Sequence, residues 1–219
     1  MSLENLIISP RQDRGEDPGL PQPDENTLFR MHSFNSLADV RDKGPSAIPV
    51  TRGTAISVGR DETGSFMKFS GNGSFVNFPS PLLNLPEVDI IMIVDSLAIE
   101  NGSWAAGPAL VDSRPSSVNG DYFTAGFDRF LPFRLATSFK AANSPLTTAI
   151  DNTKSRYDFS FRKTKSVVKI NNVERLSWSI TGNGLTGHQN WTIGRNAFKG
   201  VGVPDLIGKV YYFELRKPT

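Results

Sequence analysis

Glu87 and Asp89 stand two residues apart, just ahead of the apolar run Ile90-Ile91-Met92-Ile93-Val94. On a strand their carboxyls would share one face. Retaining glycoside hydrolysis needs two carboxyls about 5–5.5 Å apart, one as nucleophile and one as acid/base. The five residues after Asp89 carry no further carboxyl. The pair therefore reads as the entry to a buried strand, and no catalytic residue is expected. A Ser-His-Asp relay needs a positioned imidazole. The chain has His32 in an early strand and His188 in a glycine-rich loop, without a Gly-x-Ser-x-Gly elbow. With no cysteine and two isolated histidines, zinc is not expected. Calcium could use Asp112, Asp121 or Asp128 around residues 112–128, but EF-hand spacing is missing and solvated loop carboxylates are the expectation. No metal or other cofactor is expected.

The remaining chemistry is recognition. Trp104, Trp178 and Trp191 are the candidate carbohydrate-binding platforms, since a sugar ring stacks on an exposed aromatic; burial in a core is the competing reading. Basic and aromatic residues interleave in residues 127–134 and 156–169, as in stacking sites for single-stranded nucleic acid. Strand alternation explains both stretches more simply, with Phe inside and Arg or Lys in water. A net charge of +2 is too small to imply nucleic acid, and none is expected as a partner. The sequons at Asn72, Asn101 and Asn190 carry no weight without a secretion signal, and residues 1–5 do not resemble one. No apolar run approaches 18 residues, so no membrane insertion is expected.

The elements that must position these groups are strands. Short runs read as strands near 28–34, 48–58, 65–70, 74–78, 88–98, 108–112, 122–127, 133–139, 157–163, 166–170, 173–175, 190–194 and 207–215. Asn-Gly or Asn-Asn pairs separate many of them, and no stretch holds a 3.6-residue period. Val88–Val94 is apolar on both parities after Asp89, as a central strand covered on both faces would be. Ser65 to Phe78 reads as a hairpin around Asn72-Gly73, a pair that accepts the positive φ of a type I′ turn. The expectation is an all-β, two-sheet antiparallel sandwich over residues 28–219.

Residues 1–27 differ in kind. Six acids against two bases give this arm −4, so the rest of a +2 chain carries +6. Pro10, Pro18, Pro21 and Pro23 punctuate it, and Leu6-Ile7-Ile8 is its one apolar cluster. Such a segment cannot fold alone. It becomes ordered by lying on another surface, and Leu6, Ile7 and Ile8 are its expected partner-binding residues.

Three ordered segments resemble the laminin G-like jelly roll of the concanavalin A-like lectin/glucanase superfamily. Phe66-Met67-Lys68-Phe69-Ser70-Gly71-Asn72-Gly73-Ser74-Phe75-Val76 resembles the opening "A-L-x-F-D-G-x-x-D-Y-V". Val167-Val168-Lys169-Ile170-Asn171-Asn172-Val173 resembles "L-x-L-Y-V-N-G". Trp191-Thr192-Ile193-Gly194-Arg195 with Leu206-Ile207-Gly208-Lys209-Val210-Tyr211-Tyr212-Phe213 resembles "L-x-I-G … F-x-G-x-I-D-E-V-R-I-Y". The resemblance spans about residues 28–215. It implies a jelly roll with first and last strands adjacent and one curved, concave sheet. Tyr211-Tyr212 replace the acidic pair of the last motif, and Ser70 and Ser74 the acidic positions of the first, which weakens any calcium site. The glucanases' E-[LIV]-D-[LIVF]-x-E is matched only in its first four positions, by Glu87 to Ile90.

The expected function is a non-catalytic structural or attachment module of a larger assembly, docked by its arm to protein subunits or to copies of itself. A bacteriophage virion protein, a head decoration or tail component, fits this description, with the virion as location and the cytoplasm otherwise. A carbohydrate-binding lectin module is the alternative, with glycans as partners, and a glycoside hydrolase comes third. Circular dichroism should show strand with under about 15% helix, against the ordinary 30–35%; a helix-rich spectrum would end the sandwich reading.

Overall fold

The computed structural model describes residues 20, 22–82, 85, 87–98, 109–113, 124–126, 132–135, 138–141, 154–162, 164–179, 190–195 and 205–219. In chain order the strands among them are β1 (Thr27–Met31), β2 (Thr51–Arg52), β3 (Ile56–Asp61), β4 (Gly64–Ser70), β5 (Val76–Pro79), β6 (Val88–Ala98), β7 (Ala109–Asp112) and β8 (Thr124–Gly126). They continue as β9 (Pro132–Leu135), β10 (Ser138–Ala141), β11 (Ser155–Phe161), β12 (Lys165–Ile170), β13 (Val173–Ser179), β14 (Asn190–Ile193) and β15 (Ile207–Arg216). One turn of 3-10 helix, Leu37–Asp39, follows β1; the Asp39 carboxylate closes it by accepting the Asn35 and Ser36 amides.

Two antiparallel sheets result. The eight-stranded sheet runs β13-β12-β11-β6-β15-β4-β3, with β1 also on β15; the seven-stranded sheet runs β10-β9-β8-β7-β14-β5-β2. β15 lies against β6 on one side, and its other side is shared by β4 at Ile207–Val210 and β1 at Phe213–Arg216. First and last strands are therefore neighbours.

Side-chain alternation decides which face each strand buries. On β11, Tyr157, Phe159 and Phe161 enter the core as a ladder with ring centroids 6.2 Å apart, while Arg156, Asp158 and Ser160 face outward. Phe29 of one sheet stacks at 3.7 Å on Phe78 of the other, and Trp191 lies beyond Phe78 at 6.5 Å. Each such side chain contributes roughly 1.5–3 kcal/mol by leaving water. β6 sends Val88, Ile90, Met92 and Val94 into this core. Its other parity, Ile91 and Ile93, joins Phe66, Tyr211 and Tyr212 in a second apolar cluster on the outer face. That is the two-faced burial its sequence implies.

The Ser65–Phe78 segment is not a hairpin. β4 and β5 belong to different sheets, and the residues between them turn a corner. Gly71 and Gly73 have φ of 88° and 90°, whereas Asn72 is not in the left-handed region. Ser74 N–H donates to the Gly71 carbonyl at 2.8 Å, so Gly73 holds the third position of the turn, where type II demands positive φ. The corner is held from afar. Gly73 N–H donates to Asp205 Oδ2 at 2.7 Å, and Gly71 N–H to the Leu206 carbonyl at 3.1 Å. Ser74 Oγ accepts the Ser70 amide and donates to the Ala55 carbonyl. The fully buried Asp205 carboxylate also receives Arg195 Nε and Nη2 at 3.0 and 2.8 Å.

The two-residue hairpin with both central residues at positive φ lies elsewhere, at Asn171 (50°) and Asn172 (66°) between β12 and β13. Two further expectations change. The single strand over 48–58 is β2 and β3, in different sheets, and the run over 133–139 is the hairpin β9–β10. Gly53 explains the first break: a Cβ there would stand 1.9 Å from the Gly73 carbonyl, so the chain passes the corner as glycine.

Gly73→Val should still destabilise the protein by about 1–3 kcal/mol, because a β-branched residue is strained at φ 90°. A Cβ at Gly73 meets nothing closer than 3.6 Å, so an unchanged melting temperature would mean that the backbone has left that conformation.

Candidate functional site

The outward parity of the eight-stranded sheet collects the charged groups. Arg156 of β11 donates through Nε and Nη2 to Asp158, two residues on and on the same face, at 2.8–3.0 Å. Arg162, just past β11, grips Asp89 of β6 at 2.8 Å. Arg216 of β15 reaches Glu214 at 3.4 Å and also bonds Asp24, ahead of β1. Between them lies a cleft of about 360 Å³ on the β6–β11–β12 side. Asp89, Arg156, Asp158 and Arg216 line it with Ser160 and Lys169, and the Asn172 turn, Ile91 and Thr219 are also part of the wall. Ser160 Oγ, the Asn172 amide and Lys169 Nζ make no hydrogen bond to another described residue. The cleft thus offers a free hydroxyl, a free amide and a free ammonium beside carboxylates that arginines hold in place.

The other half of this face is organised by Asp61 at the end of β3. Burial raises its pKa, but hydrogen bonds from Lys209, Thr63 and Tyr211 outweigh that and hold it well below the usual carboxylate range. Lys209 Nζ and Tyr211 Oη both stand 2.7 Å from Asp61 Oδ2. Tyr212 donates to Glu214 at 2.5 Å; burial first, and then that carboxylate, push the phenol far up. Such groups are arranged to stay as they are, which suits binding rather than proton transfer.

The structure treats the sequence candidates unequally. Trp191 is fully buried against Phe78, its Nε1–H donating to Ser80 Oγ at 3.2 Å, so it has no face to offer a sugar. Trp178 lies on β13 opposite Ser166, its side chain outside the described residues, as is the whole of Trp104. Leu6, Ile7 and Ile8 also lie outside them, with His188, Asp121 and Asp128. Asp112 is fully buried at the end of β7 rather than set in a loop for calcium. Among the described residues no three His, Cys, Asp or Glu gather as a metal site. His32 Nδ1 shares a 2.9 Å hydrogen bond with Ser33 Oγ. Phe159 and Phe161 are buried, which removes the stacking platform over 156–169. Sequence reasoning missed the cleft residues as a group, although β11's outward parity was their signal.

No family model and no curated protein matches the chain. Solved structures do. Domain 4 of AbnA, a GH43 extracellular arabinanase from Geobacillus stearothermophilus, in complex with arabinotriose, has TM-score 0.64 and 14% identity, over 88% of this chain and 92% of that one. The binding domain of Paraclostridial Mosquitocidal Protein 1 has TM-score 0.62 and 11% identity, over 89% of this chain. The binding domain of botulinum neurotoxin DC in complex with rat synaptotagmin II has TM-score 0.63 and 13% identity, over 88%. The fold is a lectin-like β-sandwich. Within the two toxin binding domains the sandwich accounts for about half the length, 49% and 48% of those chains.

The lectin-like sandwich shields the three described tyrosines, Tyr157, Tyr211 and Tyr212. Burial pushes Tyr157 up to about 12, and burial, as the largest cause, also raises Tyr211 and Tyr212. A phenol with a folded pKa above the ordinary ~10 stabilises fully below that pH and loses the contribution as pH rises further. Ultraviolet titration should therefore leave at least two of the four tyrosines, Tyr157 and Tyr212, un-ionised near the ordinary ~10, both following with alkaline unfolding; early ionisation of three would contradict the burial.

Proposed function

We propose that this chain is a non-catalytic attachment module whose lectin-like sandwich holds a glycan in the outer cleft of the eight-stranded sheet. The carrying observation is the cleft itself. Its volume of about 360 Å³ falls in the range of small-ligand sites. Its free Ser160 hydroxyl and Asn172 amide match the alternating donors and acceptors of sugar hydroxyls. Asp89 and Asp158, each bonded to an arginine, are positioned to accept hydrogen bonds. The related sandwiches support the reading, since one was solved with arabinotriose and others are toxin binding domains.

The finer reading places the chain in the laminin G-like branch of the concanavalin A-like superfamily. It rests on the three ordered motifs together with the adjacency of β1 and β15. We further infer that the module serves a larger assembly, as a virion head-decoration or tail component would, with protein subunits as its other partners. The proline-rich acidic arm ahead of a body with charge +6 is what favours this.

The test is a glycan array followed by calorimetry on the best ligand. Lys169→Ala with Asn172→Gly, which keeps the turn's positive φ, should weaken binding at least about tenfold, or about 1.4 kcal/mol, without lowering the melting temperature. An array without hits would remove the glycan. Release of sugar from any polysaccharide, lost in Asp89→Asn, would overturn the non-catalytic reading.

A further inference from the structure

The segment ahead of β1 does not leave the sandwich at once. Leu20 packs on the outer apolar cluster of Phe66, Ile91, Ile93, Tyr211 and Tyr212. Four residues later the Asp24 carboxylate meets Arg216 Nη2, and the Asn26 carbonyl accepts Lys217 N–H at 2.8 Å. Asp24 is built into a turn of its own: Oδ1 accepts Asn26 N–H at 2.9 Å, its amide donates to Thr27 Oγ1, and its carbonyl accepts Thr27 N–H. Two of the residues so engaged, Ile91 and Arg216, also line the cleft. The segment therefore borders the candidate site and holds one of its cations.

The local charges show what this contact does. Arg216 is nearly buried, with its side chain 9% exposed, and already meets Glu214 through Nη1. Arg30 lies over the Tyr212 ring that donates to the same Glu214. Withdrawing Asp24 leaves Arg216 with Glu214 at 3.4 Å and takes away its second carboxylate. A guanidinium takes a carboxylate in a bidentate fork, so the group best suited to replace Asp24 is another carboxylate. Asp24 is the exposed partner of the pair, 45% open to water against 9% for Arg216, so water takes over its carboxylate when it leaves. Leu20 is the one described residue of the segment packed on the outer cluster. Pro23 has its φ fixed already, so lifting gains the segment little chain entropy there.

We propose that Leu20 and residues 22–26 form an autoinhibitory strap in which Asp24 stands in for the carboxylate of an acidic glycan, and that such a glycan binds the cleft by taking Arg216 as the strap lifts. This rests on the cleft being the binding site, and it adds the ligand's charge and a mode of control. A peptide carboxylate fits less well. Extended peptides bind by adding a strand to a sheet edge, whereas this cleft lies on a sheet face with a free hydroxyl and amide.

The experiment uses the full chain on an array of uronate- and sialate-terminated oligosaccharides beside their neutral parents. Asp24→Asn keeps the turn, because its side-chain oxygen can still accept the Asn26 amide, but it removes the competing charge. It should bind acidic glycans at least about fivefold tighter than the wild type, the lower end of ordinary coupling between sites, and neutral parents no differently. Leu20→Ser, which removes the strap's apolar anchor on the outer cluster, offers a second arm. It should tighten acidic-glycan binding in the same direction as Asp24→Asn and leave neutral parents unchanged. Acidic binding that Asp24→Asn leaves unchanged, or equal tightening for neutral parents, overturns the strap and leaves the glycan module standing. Acidic binding that Leu20→Ser leaves unchanged does the same. An array on which no variant binds anything overturns both.

Discussion

The pairing of β15 with β6 is the constraint on which the rest depends. β6 is flanked by β11 and β15, and the ten residues of β15 are long enough to carry β4 and β1 end to end on the opposite edge. This joins the two ends of the sandwich to its middle. It also fixes what the outer face contains, because register along β6 and β15 sets Asp89, Ile91 and Ile93 beside Tyr212, Glu214 and Arg216. Register shifts in β15 at Ile207/Lys209 and Val210/Tyr212 change the parity there, so Tyr211 and Tyr212 both reach the outer cluster. A one-residue slip would otherwise send each side chain to the wrong face. The outer face is thus a product of strand pairing rather than of a dedicated loop.

Much of this was legible in the sequence where the information is local. The alternation of Tyr157, Phe159 and Phe161 with charged residues gave β11 its faces, and the two-sided run after Asp89 gave β6 its central place. The Gly-Asn-Gly corner was illegible for a physical reason. Turn chemistry is written in adjacent residues, but whether a turn returns to its own sheet is decided by what anchors it. Here the anchor is Asp205, 132 positions away. The cleft was hidden in the same way: the parity of Arg162 is local, yet its partner Asp89 lies 73 residues earlier. Trp191 shows the converse, since a tryptophan on a sandwich strand reads equally as platform or core until a neighbour such as Phe78 is placed.

The charged groups of the face work as fixed furniture. Arginine's planar fork holds Asp158 and Asp89 in set orientations, and water-exposed pairs of this kind add little to stability. They are preorganised: groups already oriented in this way lose less side-chain entropy on meeting a ligand than groups that must first be ordered. The buried Asp205–Arg195 pair does the opposite work, since its carboxylate, closed off from water, holds a backbone corner in place.

The adjacency of β1 and β15 also has a mechanical consequence. Thr27 pairs with Arg216, so the polypeptide enters and leaves the sandwich at one spot on the same sheet. Tension applied between the two ends would run perpendicular to those strands, along the hydrogen bonds of an antiparallel pair. The bonds would open in succession like a zip, beginning with Asn26 to Lys217, instead of sharing the load in shear. A tug on the arm is therefore felt first at Asp24 and Arg216, while the aromatic core between the sheets carries none of it.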